Sequence, residues 1–212
     1  VTRFGELEFP HRRMEQWRFT NVGPIVSTRF ASTVAPATAP NSDAVKPLLF
    51  GEEGWTELVF VDGFYCAALS RLGELPKGAR AGSLAEAIAN GDADVETHLS
   101  RCAGVNGNIF SALNAAFIQD GAFVYVPANV VVEQPIHLLF VSTARPDTAN
   151  YPRNLVVLER QAEAQIIETY ASLSDGRYLT NAVTELVLGE GAHLRRFGVQ
   201  RDIFLAELQG AH

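Results

Sequence analysis

The sequence predicts a mainly β fold, a parallel β-helix (solenoid) preceded by a small α/β N-terminal region, and two observations support this prediction. After Asp120-Gly121 the chain consists of short β-rich segments with no amphipathic helix between them, which argues against parallel α/β winding. Three of these segments also share a pattern: an apolar triplet, three residues of turn character, and a small or β-branched residue that starts the next strand. Such units bury their apolar faces only by stacking on each other, so the pattern indicates a stacked architecture.

The repeat has a nearly constant period. The triplets begin at Val124, Val156 and Leu186, so the spacings are 32 and 30 residues. Gly210-Ala211-His212 repeats Gly191-Ala192-His193 and is interpreted as one more corner. The chain would then stop within a coil and leave an open sheet edge. This favours a truncated part of a longer protein, or a sheet that is completed by a partner.

Changes in composition divide the chain into four parts. Twelve of the seventeen residues at 31–47 are Ala, Ser, Thr or Pro, a composition that interrupts regular structure. We therefore predict an N-terminal arm with a helix at 1–30, an Ala/Ser/Thr/Pro-rich linker or surface strap at 31–47, a mixed α/β region at 48–120 and β-helix coils at 121–212.

Local signals predict a hairpin and three helices within the mixed region. Asp62-Gly63 lies between two β-rich runs, as in a two-residue hairpin turn. Ser83 and Glu86 have the spacing of a capping box, which predicts a helix that ends at Asn90-Gly91. Apolar stripes predict two further helices, at 94–102 and 109–118.

The charge balance argues against a nucleic-acid partner. The formal net charge is −7, from 24 acidic and 17 basic residues, so the overall field repels polyphosphates and anionic membranes. No apolar run approaches the roughly 20 residues that span a bilayer. Cys66 and Cys102 lack C-x-x-C spacing, and we interpret them as small buried hydrophobic residues in a protein of the reducing cytoplasm.

Motifs for nucleotide or zinc binding are absent from the sequence. Neither lysine lies in a phosphate-binding loop, and no dinucleotide-binding glycine motif opens a helix. No two histidines have the spacing of a local zinc site. Stacking of strands could bring His137 near His193, but satisfied surface histidines are the expectation that we favour.

A group of charged residues in the β-rich part of the chain suggests an alternative function, that of a carbohydrate-active enzyme. The group contains Glu159, Glu168, Glu185, Arg160, Arg195 and Arg196. β-Helix enzymes that act on acidic polysaccharides place such side chains on one strand face, so a carbohydrate lyase or hydrolase is the alternative. Ion pairs between neighbouring strands on a solvated face give the same pattern. Because the sequence has no Asp cluster and no G-x-S-x-G motif, we favour structural pairing and predict no catalytic residue and no metal site.

The segment RRMEQWRFTN at 12–21 is predicted to form an amphipathic arm rather than a nucleic-acid contact. On a helix, Met14 and Trp17 share a face and Glu15 can pair with Arg18. Because the whole chain is acidic, we expect Trp17 to pack against the body of the protein and to anchor the arm. The arm motif comprises Arg13, Glu15, Trp17, Arg18 and Thr20.

The arm is also the first of several ordered motifs that resemble the SufB/SufD family, and in particular its SufD-type members, of the SUF iron–sulfur cluster assembly system. The pattern R-x-E-x-W-R-[FY]-T-[DN] at 13–21 resembles the opening motif of SufD-type proteins. The further similarities, in the expected order, are Phe110-Ser111-Ala112-Leu113-Asn114-Ala115-Ala116-Phe117, Asp120-Gly121, Val126-Pro127, Gln134-Pro135-Ile136, Leu188-Gly189-Glu190-Gly191-Ala192 and Val199-Gln200.

The resemblance implies the N-terminal portion of a SufD-like scaffold, in which a helical region precedes a right-handed parallel β-helix. It implies a non-enzymatic subunit of the SufBCD complex that pairs with SufB-like and SufC-like subunits, SufC being the ATPase, with an iron–sulfur cluster on the assembled complex. A homodimer is a further possibility. SufB fits less well because no cysteine-rich N-terminal motif is present. The C-terminal segment of the family has no counterpart in the chain, so no cluster-binding residue is assigned.

Overall fold

Three β-sheets and five short helices form the fold in the computed structural model, which describes residues 7–103 and 108–201. The helices are α1 (Gly23–Ser27), α2 (Ser42–Val45), α3 (Leu84–Ala89), α4 (Ala93–His98) and α5 (Ile109–Phe117). The strands are β1 (Ala31–Ser32), β2 (Thr56–Val61), β3 (Phe64–Tyr65), β4 (Arg80–Ser83), β5 (Ala122–Val126), β6 (Ile136–Ser142), β7 (Thr148–Asn150), β8 (Arg153–Leu158), β9 (Glu163–Ser172), β10 (Tyr178–Thr180), β11 (Val183–Leu188) and β12 (His193–Gln200). Single 3₁₀ turns cover Glu15–Trp17, Lys46–Leu48 and Ala67–Leu69.

The strands are distributed over a three-stranded, a four-stranded and a five-stranded sheet. Their orders are β1-β7-β10, β11-β8-β5-β4 and β12-β9-β6-β2-β3. The pairs β2-β3 and β4-β5 are antiparallel, and all other neighbours in these sheets are parallel.

The predicted fold class, a mainly β protein built on a right-handed parallel β-helix, is wrong. The molecule is a mixed α/β structure with 20% helix and 34% strand in three sheets. The pattern behind the prediction covered only the chain after residue 120, whereas strands from before that residue join all three sheets. β1 pairs with β7 in the three-stranded sheet. β2 lies between β6 and β3, and β4 pairs with β5, so each of the two larger sheets also contains an antiparallel pair.

The internal repeat itself is confirmed by the strand register. Val124 of β5 lies opposite Val156 of β8, and Val156 lies opposite Leu186 of β11. Residues that are equivalent in the repeat are therefore direct neighbours across parallel strands. The further corner expected at Gly210-Ala211-His212 falls outside the described residues.

The main core lies between the four-stranded and five-stranded sheets. Leu58, Leu138 and Ile166 of the five-stranded sheet pack in one cluster with Val124 and Val156 of the four-stranded sheet. All five side chains are fully buried or nearly so, as expected for the facing surfaces of two packed sheets.

Three aromatic rings form a ladder inside this core. The ring centroids of Phe60 and Phe140 are 4.9 Å apart and those of Phe140 and Tyr170 are 5.0 Å apart, with interplanar angles of 17° and 14°. The ladder follows from the register, because these residues occupy matching positions on β2, β6 and β9.

Smaller apolar layers cover the outer faces of both sheets. Leu84 of α3 and Val95 of α4 pack on Leu155 and Val157 of the four-stranded sheet. On the five-stranded sheet, Val45 packs with Val59, Leu139 and Val141. The apolar side chains on both faces of β2 and β6 are therefore buried.

The segment at 31–47, predicted as a linker or strap, contains regular structure. Ala31 and Ser32 form β1 and pair with Thr148 and Ala149 of β7. Thr33 is buried, and its hydroxyl donates a hydrogen bond of 2.8 Å to the carbonyl oxygen of Asp62.

The local predictions for the region 48–120 agree with the structure at two turns. Asp62 and Gly63 have φ angles of 51° and 91°, the left-handed values that a tight hairpin turn between β2 and β3 requires. The hydroxyl oxygen of Ser83 accepts a hydrogen bond of 3.1 Å from the backbone N–H of Glu86. The helix α3 ends at Ala89 with Asn90 as its C-cap, and Gly91 has a φ of 67°.

The helices α4 and α5 agree with prediction to different degrees. α5 covers nearly the predicted range, with Asn108 as its N-cap, whereas α4 ends four residues before Cys102. Leu99 is extended and Ser100 has a φ of 65°. The carboxylate of Glu185 binds the backbone N–H groups of Ser100, Cys102 and Ala103. A long-range contact thus ends the helix.

The aromatic ladder should dominate the stability of the five-stranded sheet. Because Phe140 is the middle ring and is buried, we expect Phe140→Ala to lower the free energy of unfolding by about 3 to 5 kcal/mol, measured by urea denaturation. Phe19→Ala is the control, since Phe19 is 89% exposed and its loss should change stability by less than about 0.5 kcal/mol. A loss below about 1 kcal/mol for Phe140→Ala would contradict the ladder's role.

Candidate functional site

The arm motif lies on and around a single 3₁₀ turn rather than a longer helix. Arg13, Glu15 and Arg18 are exposed, Thr20 is buried and Trp17 is half-buried. The ring of Trp17 lies 5.6 Å from that of Phe110 in α5. This contact is the packing expected of Trp17, and its role as an anchor stays a prediction.

The ion pair predicted within the arm does not form. Glu15 and Arg18 are both described, and no salt bridge joins their side chains. The Arg18 guanidinium instead lies 5.5 Å from the ring centroid of Phe19. The predicted pairing assumed a regular helix through both residues, whereas the turn covers only Glu15–Trp17 and Arg18 is its C-cap.

Asn114, in the middle of α5, is a fully buried connector between segments. Its amide group donates hydrogen bonds of 2.9 Å and 2.8 Å to the carbonyl oxygens of Pro152 and Asn181. Its side-chain oxygen accepts a hydrogen bond of 3.0 Å from the Arg153 guanidinium. All polar atoms of this side chain are therefore used, which satisfies a group that is costly to bury alone.

Asp120 connects the hairpin, α3 and β5. One carboxylate oxygen accepts a hydrogen bond of 2.8 Å from the backbone N–H of Tyr65, and the other accepts one of 2.8 Å from the hydroxyl of Ser83. The backbone N–H of Ala85 also donates to this second oxygen. The next position requires a glycine, because the backbone of β8 lies very close to it. A Cβ at Gly121 would be 1.9 Å from the carbonyl oxygen of Arg153.

Glu185 and Arg153 form a buried ion pair on the outer face of the four-stranded sheet. The guanidinium Nε and Nη2 of Arg153 lie 2.8 Å and 2.7 Å from Oε1 of Glu185. Burial raises the pKa of Glu185, but hydrogen bonds from the N–H groups of Ala103, Ser100 and Cys102, together with the charge of Arg153, outweigh it. The pKa of Glu185 is therefore below its ordinary value.

Glu168 and Arg196 form a second ion pair, between the two larger sheets. Nε and Nη2 of Arg196 donate hydrogen bonds of 2.7 Å and 2.8 Å to the two oxygens of the buried Glu168 carboxylate. The hydroxyl of Thr184 lies 3.3 Å from both oxygens, and that of Tyr170 donates a bond of 3.2 Å. Burial, and after it the Glu168 charge, raises the pKa of Tyr170 well above its ordinary value.

The three glutamates proposed as a catalytic set do not converge. Glu168 lies between the sheets, Glu185 lies on an outer face, and Glu159 lies in the turn after β8. Arg160 and Arg195 are exposed. The carbohydrate-enzyme alternative requires convergent carboxylates in one groove, so this arrangement removes its support. Glu168 and Glu185 do form ion pairs with arginines of neighbouring strands, but the expectation of a solvated face was wrong, because both carboxylates are buried.

His137 and His193 do not meet. His137 of β6 lies opposite Ile167, whereas His193 of β12 lies opposite Glu163. His137 is also fully buried, so the expectation of a surface histidine was wrong for this residue. The sequence offered a signal in the apolar run IHLLFVS, which is buried along its whole length.

The buried His137 ring has one partnered and one unpartnered nitrogen. Nε2 lies 2.9 Å from the hydroxyl of Thr169, while Nδ1 is 3.5 Å from a carboxylate oxygen of Glu57 and forms no hydrogen bond. Burial lowers the pKa of His137; Glu57 opposes this effect and Arg201 adds to it. The imidazole is therefore held neutral in the fold.

The cysteines do not form a disulfide. Both are free thiols; Cys66 is half-buried and Cys102 is exposed. The expectation of burial was therefore wrong for Cys102, whose segment is held at the surface by Glu185.

One group of potential metal ligands lies outside these networks. Asp94 and His98 of α4 and Glu159 bring one ligand atom each within 4.8 Å of one another, and all three are half-buried. Sequence reasoning missed this group because Glu159 follows α4 by about sixty residues.

In the described ranges, no helix is both long enough and apolar enough to span a membrane.

Comparison with protein families gives two matches that follow each other along the chain. Residues 1–138 match the model of the SufBD protein N-terminal region. Residues 140–205 match the SufBD core domain of SUF system FeS cluster assembly. Together the two matches include the arm, both antiparallel strand pairs and the parallel strands.

Individual relatives carry related names. A Synechocystis iron–sulfur cluster assembly SufBD family protein is 32% identical over 93% of this chain and 45% of its own length. The iron–sulfur cluster assembly protein SufD of Escherichia coli is 27% identical over 88% of the chain and 41% of its own length. SufD of Bacillus subtilis is 34% identical over 42% of the chain and 20% of its own length. The chain spans less than half the length of these curated relatives.

The contact between Trp17 and Phe110 should be measurable as a coupling energy. We expect Trp17→Ala to lower the free energy of unfolding by about 1 to 2 kcal/mol, because the ring is half-buried. A double-mutant cycle with Phe110→Ala should give a coupling of about 0.5 to 1.5 kcal/mol, as for other aromatic pairs. Met14→Ala, in the same turn, serves as the control and should show no coupling. A coupling near zero for Trp17 would refute the anchor.

Removal of the Glu185 charge should destabilise the protein strongly. Glu185→Gln leaves the Arg153 guanidinium buried without a counter-charge, so we expect a loss of about 3 to 5 kcal/mol in the free energy of unfolding. Glu163→Gln is the matched control, because Glu163 is an exposed glutamate on β9.

Glu185→Gln should also change how strongly the stability of the fold depends on pH in the acid range. Because the pKa of Glu185 is lowered in the folded state, its stabilising effect is present above the unfolded pKa of about 4.3 and is lost as the pH falls through the folded pKa. Wild-type stability should therefore fall more steeply below about pH 5 than that of Glu185→Gln. Parallel pH profiles would show that the carboxylate has no such role.

Proposed function

The chain belongs to the SufBD family of SUF iron–sulfur cluster assembly proteins, and from this premise we propose that it is a SufD-like scaffold subunit. In this role it pairs with SufB-like and SufC-like subunits and performs no chemical step of its own. The iron–sulfur cluster is the cargo of the assembled complex rather than a resident cofactor of this chain. The observation that carries the proposal is the pair of consecutive family matches, which cover nearly the whole chain.

The buried ion pairs between neighbouring strands support a scaffold role. Buried charges are neutralised by partners on the neighbouring strand, as in the pairs of Arg153 with Glu185 and Glu168 with Arg196. Hydrogen-bonded charge pairs of this kind fix the register of the strands that carry them. A surface presented by such strands keeps its shape, which a partner protein requires for tight binding.

The division of labour within the proposed complex is the one that the family resemblance implies. In it the SufC-like subunit hydrolyses ATP, and the given sequence, which contains no phosphate-binding loop, agrees with this assignment. The free thiols of Cys66 and Cys102 agree with a reducing compartment, and we propose the cytoplasm. SufD is the name carried by the Escherichia coli and Bacillus subtilis relatives, which favours the SufD-like assignment.

Co-purification tests this function directly. The full-length protein, expressed with SufB-like and SufC-like subunits and isolated through a tag on the SufC-like subunit, should elute with both in a stable complex. We expect this complex to contain more iron and acid-labile sulfide than the SufB-like and SufC-like subunits purified without it. The preparation that lacks the chain is the control. Absence of a complex, or elution of the chain as a homodimer alone, would contradict the proposal.

A further inference from the structure

We propose that Asp94, His98 and Glu159 form a binding site for one divalent first-row transition-metal ion, where α4 meets the turn after β8. Their ligand atoms, one from each side chain, lie within 4.8 Å of one another. The proposal concerns this surface alone and is independent of the scaffold function.

The backbone brings the three side chains to one place. Asp94 and His98 are four residues apart on α4 and therefore project from the same helix face. The helix is fixed at its start by Asp92, whose carboxylate accepts hydrogen bonds from the N–H groups of Asp94 and Val95. The buried side chain of Val95 packs the helix on the four-stranded sheet.

Glu159 is positioned by the strand register. Its backbone N–H donates a hydrogen bond of 2.9 Å to the carbonyl oxygen of Val126, and its carbonyl oxygen accepts one of 3.0 Å from the N–H of Ala162. The turn therefore holds Glu159 at the end of β8, on the side that α4 covers. Two separate elements thus supply the ligands, and both are anchored to the same sheet.

The ligand atoms are available for a metal ion. Among the described residues, the side chains of His98 and Glu159 make no hydrogen bond or ion pair. Asp94 engages Arg80 through Oδ2, and no hydrogen bond occupies its Oδ1. Arg80 itself is held by Asp92 and by the ring of Tyr125, whose centroid is 4.4 Å from the guanidinium carbon. An arginine that orients a ligating carboxylate is a common outer partner of metal sites.

The local charge favours a cation. Asp92, Asp94 and Glu159 carry three negative charges, and Arg80 is the positive charge paired with two of them. Burial, and after it the charges of Asp94 and Glu159, raise the pKa of Tyr125, while the charge of Arg80 opposes this. The ion pairs with Arg80 leave an excess of negative charge at these carboxylates, and a divalent ion would neutralise it.

The donor set indicates the class of metal. One imidazole and two carboxylates suit zinc, iron(II), cobalt or manganese, whereas calcium and magnesium sites are built from oxygen ligands. Ligands of a tetrahedral zinc ion lie about 3.3 Å apart, so rotation of these half-buried side chains has to bring the atoms closer than their present limit of 4.8 Å. Three protein ligands leave a fourth position for water or for a ligand from another molecule.

Zinc titration of the full-length protein, freed of metal by a chelator, tests the site. We expect one zinc ion per chain, measured by competition with a chromogenic chelator. His98→Gln and Glu159→Gln should each weaken this binding at least about tenfold, since changes in outer partners alone cost 10- to 100-fold. Glu96→Gln is the matched control, because Glu96 is an exposed carboxylate on the same helix but outside the group.

Thermal unfolding gives an independent readout. Zinc should raise the melting temperature of the wild type and of Glu96→Gln, because a ligand that binds only the folded state stabilises it. The rise should be absent from His98→Gln and Glu159→Gln, whose folding is verified by circular dichroism. Equal zinc affinities in all these proteins, or no binding at about 100 μM zinc, would overturn the proposal.

Discussion

The ion pair between Arg153 and Glu185 is the interaction on which the arrangement of helices and sheets depends. A guanidinium and a carboxylate that are both removed from water are tolerated only when each is neutralised and hydrogen-bonded. The pair therefore fixes β8 beside β11, and each partner holds one further segment. Asn114 of α5 contacts Arg153, and the turn that follows α4 is wrapped around Glu185. The helices α4 and α5 are too short to be stable in isolation, and the contacts with the ion pair position them on the sheet.

Features set by neighbouring residues could be predicted from the sequence. The hairpin at Asp62-Gly63 depends on the left-handed conformation of two residues, and the start of α3 depends on one hydroxyl, so the local signal sufficed. The period of about thirty residues also placed Val124 beside Val156. The fold class could not be predicted in this way, because β2 pairs with β6 and β4 pairs with β5, and these partner strands lie far away in the chain.

The roles of the charged residues likewise depended on long-range contacts. Glu168 and Glu185 look alike in the sequence, yet Glu168 lies between the two larger sheets, Glu185 lies on an outer face, and the two pair with different arginines. The buried side chain of His137 contacts Phe50, Glu57 and Thr169, which come from distant segments of the chain. The group of Asp94, His98 and Glu159 combines a visible helical spacing with a third residue that only the fold brings near.

The position of the charge pairs has a consequence for how the strands come together. The carboxylate of Glu168 on β9 is neutralised by Arg196 on β12, and Arg153 on β8 is neutralised by Glu185 on β11. A strand that docks first therefore carries a buried, unpaired charge until the next one arrives, a state that costs several kcal/mol. Partly assembled sheets are penalised, and the outer strands cannot fray one at a time. Unfolding of the two larger sheets is thereby made cooperative.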